Sequence, residues 1–158
     1  VSVLPENQDL NAIYFGQNVL QLVGSSSLKE APKSPEDLKD KTLIFREYGS
    51  ATRNAMENYL NEKGIRGYKR IVLQSNEAVK QAVNAGLGYS IMPLIGLKNE
   101  LANGSIRRIP MEGLPLVTQW NLVYSKDKRL TPAAEKLIEE IENHRQEVVE
   151  QHFRSYLD

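Results

Sequence analysis

Polar side chains suited to holding a small molecule are concentrated in three short segments of this 158-residue chain: Gly49-Ser50-Ala51-Thr52-Arg53, Gln74-Ser75-Asn76-Glu77 and Pro93-Leu94-Ile95. Each follows an apolar, strand-like run and leads into a helical pattern. In α/β sheets such loops gather at the carboxyl ends of the strands, where ligands bind. The hydroxyls of Ser50, Thr52 and Ser75, with Asn76 and the open N–H groups of two helix starts, suit an anionic or strongly polar ligand. Pro93 and Leu94 would form the apolar margin of that site. The same residues have a plainer use, because Thr52 and either Ser75 or Asn76 are the residue types that cap helices. Sequence alone leaves both readings open.

Other chemistry-bearing residues carry less. Gly86-Leu87-Gly88 has part of a dinucleotide-binding pattern, but it ends a helix and precedes a strand, the reverse of a phosphate-cradling loop. It reads as a helix stop and tight turn. Arg46 beside Glu47 is either a ligand-binding pair or a surface ion pair. His144 and His152 fall eight residues apart on one helix, about 12 Å, too far to share a metal. Trp120 sits beside a strand and packs in or at the rim of a core. No Ser-His-Asp set, paired catalytic carboxylates or metal-ligand spacing stands out, so no catalytic residue, metal or cofactor is expected. The chain has no cysteine, which excludes disulfides, thiolate metal sites and cysteine nucleophiles.

Composition sets the frame for these segments. Lys plus Arg and Asp plus Glu are each 20, giving a net charge of +0. DNA binding through phosphates usually shows a basic excess, and these residues have none. Hydrophobic residues make up 41% and charged residues 25%, the proportions of a folded domain, and a chain this long buries roughly 70% of its surface. No apolar run has the length of a membrane span or a signal-peptide core. Val1 opens directly into the apolar Val1-Ser2-Val3-Leu4, which reads as a piece of a longer chain.

The elements follow from periodicity and punctuation. Val1–Leu4 reads as the end of a strand, and Ala12–Val23 alternates as a strand does. Ser34-Pro35-Glu36-Asp37 starts a short helix after a polar connector. Thr42–Phe45 is a buried strand, and residues 52–63 form a helix with Met56, Tyr59 and Leu60 on one face and Gly64 at its end. Residues 70–73 are a strand, and residues 76–85 a helix with a stripe of alanines and valines, ended by Gly86. Residues 89–92 are a strand stopped by Pro93 and placed in the same sheet as 71–73. Residues 94–103 make another helix, 106–109 and 117–124 further strands, and Thr131-Pro132 opens the last helix. Strands and helices alternating at this spacing predict an α/β fold of βαβ type.

Three stretches, in order, resemble the effector-binding domain of LysR-type transcriptional regulators. Leu43-Ile44-Phe45-Arg46-Glu47-Tyr48-Gly49-Ser50-Ala51-Thr52-Arg53 resembles the family's strand and its Arg-Glu-x-Gly-Ser-Gly-Thr-Arg loop. Ser75-Asn76-Glu77-Ala78-Val79-Lys80-Gln81-Ala82-Val83-Asn84-Ala85-Gly86-Leu87-Gly88 and the following strand to Pro93 resemble Ser-Asn-Glu-Ala-x-Lys-x-Ala-Val-x-Ala-Gly-x-Gly. The third stretch runs from Glu100-Leu101-Ala102-Asn103-Gly104 through Glu112-Gly113-Leu114-Pro115-Leu116 and Trp120 to Thr131-Pro132-Ala133-Ala134. The likeness covers residues 1 to about 142, and its details are most similar to the branch containing regulators of carbon-fixation operons.

The resemblance implies a fold like the type 2 periplasmic binding proteins, with two lobes joined by a hinge and a small polar or anionic effector between them. The second lobe would be residues 42–118. Residues 1–41 and 119–158 would be an incomplete first lobe and the hinge, crossed near 24–41 and 119–125. The family's winged helix-turn-helix, linker helix, first strand and first helix have no counterpart here, so DNA would be contacted only through that missing N-terminal domain. Two departures are visible. Gly24-Ser25-Ser26-Ser27-Leu28 replaces a Pro-x-x-His-Pro-Leu-like segment, and the last helix continues past Asn143 toward Tyr156, a length of roughly 37 Å. That extension would cover the core or dock on a partner. A homo-oligomer is expected through the first lobe or residues 144–158, in the cytoplasm and with no membrane contact. The alternatives on the same fold are a solute-binding protein of a transport system and a small-molecule enzyme.

Overall fold

A computed structural model of the chain describes residues 9–153. The strand expected at Val1–Leu4 and the end of the last helix at Tyr156 lie outside the described residues. The described residues divide into two compact units, one spanning Val19–Leu116 and a smaller one drawn from the described residues before 19 and after 116. The larger unit thus contains, besides most of 42–118, residues 19–41, which the sequence reading assigned to the first lobe and hinge. Packing explains this: from Val19 to Ser25 every residue of the long strand β1 (Leu10–Ser25) is buried. This half of β1 lies between two antiparallel neighbours, β4 (Ser90–Pro93) at Leu20–Val23 and β5 (Ile106–Arg108) at Val23–Ser25.

The rest of the larger unit is built on β2 (Thr42–Arg46), whose Leu43, Ile44 and Phe45 are fully buried. Helix α1 (Ala51–Glu62) buries Met56, Tyr59 and Leu60, the one-face spacing that drives an amphipathic helix onto a core. Its end is fixed when the Ile65 N–H donates to the Leu60 carbonyl at 2.8 Å, which seats Ile65 at 0% exposure. Strand β3 (Lys69–Leu73) runs parallel to β2 over all five residues. Helix α2 (Asn76–Asn84) buries Val79, Ala82 and Val83 and stops before Gly86, whose φ of +77° is one that side-chain-bearing residues avoid.

Two expectations are corrected here. Residues 71–73 and 91–92 do not share a sheet: β2 and β3 form a two-stranded sheet, whereas β4 belongs with β1 and β5. The two sheets meet at a single parallel bridge, Leu43 to Tyr89. Beside it the Ile44 carbonyl accepts the Ser90 hydroxyl at 2.7 Å. The helix expected over 94–103 is in fact a 3-10 turn at Leu94–Leu97 followed by the short α3 (Lys98–Ala102). Leu94 and Leu97 are both buried, and anchoring both within one turn suits the three-residue repeat of a 3-10 turn.

Tyr59 ties α1 to the segment before β6 (Leu116–Ser125): its phenol donates to the Glu112 carbonyl at 2.8 Å. Burial, reinforced by the negative charges of Glu112 and Glu36, pushes the phenol up to about 12. Because the folded chain holds this proton more tightly than the unfolded one, the contribution is complete below the ordinary tyrosine value and declines as pH rises through about 12. Tyr59→Phe is expected to remove that part of the alkaline decline and to lower stability at neutral pH by about 1 kcal/mol. Urea unfolding of both proteins from neutral pH upward measures this; identical alkaline profiles would refute it.

In the smaller unit β6 pairs with β1, and the Asn18 amide donates to the Thr118 hydroxyl at 3.0 Å. Helix α4 (Pro132–Phe153) is capped as expected, with the Ala134 N–H reaching the Thr131 hydroxyl at 3.3 Å. Arg145 donates to the Tyr14 carbonyl at 3.0 Å and lies 5.2 Å from that ring's centre. Among the described residues no helix is long and apolar enough to cross a membrane.

Candidate functional site

The carboxyl end of β2 places Arg46 at the point where the chain turns into α1. The residue that caps α1 is Ser50, not Thr52. Ser50 has extended backbone angles, and its hydroxyl accepts no hydrogen bond from the helix, so the first turn of this 12-residue helix has no side chain covering its N–H groups. Such a terminus favours negative charge. Thr52 is the second residue of α1. At the neighbouring helix the capping reading holds: the Ser75 hydroxyl accepts from the Ala78 N–H at 3.0 Å. Asn76 follows as the first residue of α2.

Arg46 joins the two helix starts. Its Nε and Nη2 donate to the two carboxylate oxygens of Glu47, each at 2.7 Å, and its Nη1 donates to Asn76 Oδ1. The Arg46 side chain is only 18% exposed, against 37% for that of Glu47. The ion pair holds the Glu47 carboxyl down at about 2 and raises Arg46 above the ordinary arginine value. Next to it Arg53 pairs with Glu57 at 3.0 Å, and Glu57 also takes Arg70 at 3.0 Å. Arg46, Thr52, Arg53, Asn76 and Ser90 are the polar residues around one narrow crevice, too tight in this structure to admit a water molecule, with Met92 and Val79 among its apolar lining.

Of the residues singled out from sequence, Thr52 and Asn76 therefore line one crevice, with Ser50 and Ser75 at the adjoining helix starts. Pro93 and Leu94 do not line it. Both are buried, Pro93 paired with Leu20 in the sheet and Leu94 at 2% exposure. Arg53 and Ser90, which also line the crevice, were not singled out. The signal for Arg53 was present in the sequence, one residue past Thr52 in the same loop motif, whereas Ser90 sits in an apolar strand that gives no hint of a polar role. His144 has its Nδ1 3.0 Å from Glu140, and among the described residues no group of acids and histidines could hold a metal ion.

Strands leading into helices, with two helix starts beside one another, define an α/β domain of the class that carries ligands at the strand ends. The comparison with known proteins gives the family: residues 2–146 match the LysR substrate binding domain, and the chain belongs to that family. It is 38% identical over 138 residues to the HTH-type transcriptional activator CmpR of Synechocystis sp., covering 85% of this chain and 45% of that protein. To the RuBisCO operon transcriptional regulator of Allochromatium vinosum it is 37% identical over 137 residues, again 85% of this chain and 45% of the relative. The chain thus spans less than half the length of these two curated relatives. The regulatory domain of Synechocystis PCC6803 CcmR, solved in complex with 2-PG, superposes with a TM-score of 0.78 at 28% identity, covering 89% of this chain and 69% of that one. The fold is accordingly the periplasmic-binding-protein-like one that the resemblance implied, and the two curated relatives are transcription regulators. Nothing in them supports the transport alternative.

Proposed function

We propose that the chain is the effector-sensing domain of a LysR-type transcriptional regulator, acting by binding rather than by catalysis. Its effector is a small anionic or strongly polar molecule, held by Ser50, Thr52, Ser75 and Asn76 together with Arg46. The observation that carries this reading is the uncapped start of α1 beside a guanidinium that is itself tied to the start of α2. Positive potential from a helix terminus and an arginine, flanked by a hydroxyl and an amide, is what an anion with further polar groups requires. The CcmR regulatory domain, solved in complex with 2-PG, supports a small-molecule effector and supplies a probe. Within the regulator, effector binding would shift the population between two arrangements of a cytoplasmic assembly. DNA contact would fall to a helix-turn-helix domain rather than to these residues, whose charges cancel.

Calorimetric titration of the chain with 2-PG tests the reading. Saturable binding is expected, weakened about tenfold in Thr52→Val, the effect of one lost hydrogen bond to a charged group. Absence of saturable binding, or indifference to Thr52→Val, would overturn it. A homo-oligomer belongs to the same proposal, supported by the exposed apolar Leu137 on α4 and Val117 on β6, each 56% exposed. Sedimentation equilibrium is expected to show a concentration-dependent dimer or larger species, and a monomer throughout the micromolar range would refute it.

A further inference from the structure

Arg46 reaches the candidate site already engaged. A guanidinium offers its best anion contact along an edge where two N–H groups point in parallel, and Glu47, the very next residue, holds the Nε–Nη2 edge with both carboxylate oxygens at 2.7 Å. Asn76 fixes the third nitrogen, so the planar group cannot swing away to offer that edge elsewhere while keeping its partners. Glu47 is also the more exposed partner, at 37% against 18%, and so it is the one free to leave. Asn76 stays bonded to the guanidinium, and Thr52 lines the same crevice.

We infer that Glu47 is a built-in competitor of the effector: its carboxylate occupies the Arg46 edge that the effector's anionic group takes, and it sets the threshold for binding. The inference rests on the effector face proposed above and adds the regulation of that face. A simple anion gains at Arg46 only what it displaces, an ion pair already formed, and so it has little net reason to stay. An effector that also engages Thr52, Asn76 and the start of α1 adds contacts that Glu47 does not make. The apparent affinity is lowered by the fraction of molecules in which Glu47 holds the edge. The device thus keeps the site clear of ambient inorganic anions while leaving a multidentate ligand able to enter. Acid does not release it in any physiological range, because the Glu47 carboxyl is held at about 2; only exchange of one anion for another does.

The test uses inorganic sulfate, which stays dianionic in mild acid, titrated into the chain carrying 13C-labelled glutamate carboxyls and followed by NMR. Glu47→Gln is expected to tighten sulfate binding threefold to fivefold, the range an exposed ion pair spans. Glu47→Asp, which keeps the charge but shortens the reach, should give an intermediate gain. In the wild-type chain saturated with sulfate, the Glu47 carboxyl is expected to titrate nearer the ordinary glutamate value of 4.5 than its starting point of about 2. If sulfate binding is abolished by Arg46→Gln yet unchanged or weakened by Glu47→Gln, the competitor is overturned and the effector face stands. A Glu47 carboxyl that does not move at saturation overturns it equally. Sulfate binding indifferent to Arg46→Gln removes the effector face itself. Two-dimensional amide spectra of each variant confirm that a change in affinity is not a change in fold.

Discussion

Gly88→Ala is expected to lower the stability of the Val19–Leu116 unit by about 3 kcal/mol, the upper range for overpacking a closed site. A Cβ built at Gly88 would stand 2.3 Å from the Thr42 carbonyl oxygen and 3.0 Å from its carbon, and both obstructing atoms belong to the main chain. No rotamer can relieve that contact. The close approach is where the two sheets meet: the Tyr89 N–H donates to the Thr42 carbonyl at 2.9 Å, and the Ile44 N–H to the Tyr89 carbonyl at 2.8 Å. Pushing Thr42 away would break the first of these bonds and loosen Leu43 and Ile44, both at 0% exposure. Gly96→Ala is the control, since a Cβ there meets nothing within 4 Å, and a change within about 0.5 kcal/mol is expected. Urea unfolding reports both, and a Gly88→Ala midpoint indistinguishable from that of Gly96→Ala would refute the close approach.

The same junction shows what the sequence disclosed and what it could not. Gly86-Leu87-Gly88 read correctly as a helix stop and a tight turn, because glycine after an alanine-valine stripe is a local signal. That Gly88 must also admit the Thr42 carbonyl is a contact across 46 residues, and nothing near it in sequence announces the partner. The elements bounded by such local signals were legible: β2 from its apolar run, α1 from Met56, Tyr59 and Leu60, and α2 from the Ser75 cap. The division into two sheets was not, because strand partners are set by contacts between residues far apart in sequence, such as Leu20 with Pro93.

The site divides along the same line. Ser50, Thr52, Ser75 and Asn76 stood out because hydroxyls and amides at helix starts are a local pattern. Pro93 lies away from the crevice because it pairs with Leu20 on β1, and Leu94 because it is buried in the turn that follows; the order of elements specifies neither. Arg46 was visible as a neighbour of Glu47 and as part of the family-like loop, with surface pair and ligand pair both open. Its bond to Asn76, 30 residues away, is what carries it into the site.

Arg46→Gln is expected to weaken 2-PG binding by at least tenfold and up to about a hundredfold, the range for losing a charge-assisted, two-point contact. Thr52→Val should remove less, since it deletes a single neutral donor beside a charge that remains. Arg46→Lys separates charge from shape: a lysine keeps the positive charge but presents one ammonium in place of a planar fork, and it cannot hold Asn76 and a bidentate anion together. Arg46→Lys is therefore expected to recover only a minor part of the loss. Stability should change little in either variant, because Glu47 and Asn76 lie at the surface and regain water as a partner. Calorimetry with 2-PG, paired with urea unfolding, distinguishes the outcomes. Full recovery by lysine would make Arg46 a diffuse positive charge rather than a fixed anion clamp. A large fall in stability would make it a strut between β2 and α2, its bond to Asn76 serving the fold rather than the ligand.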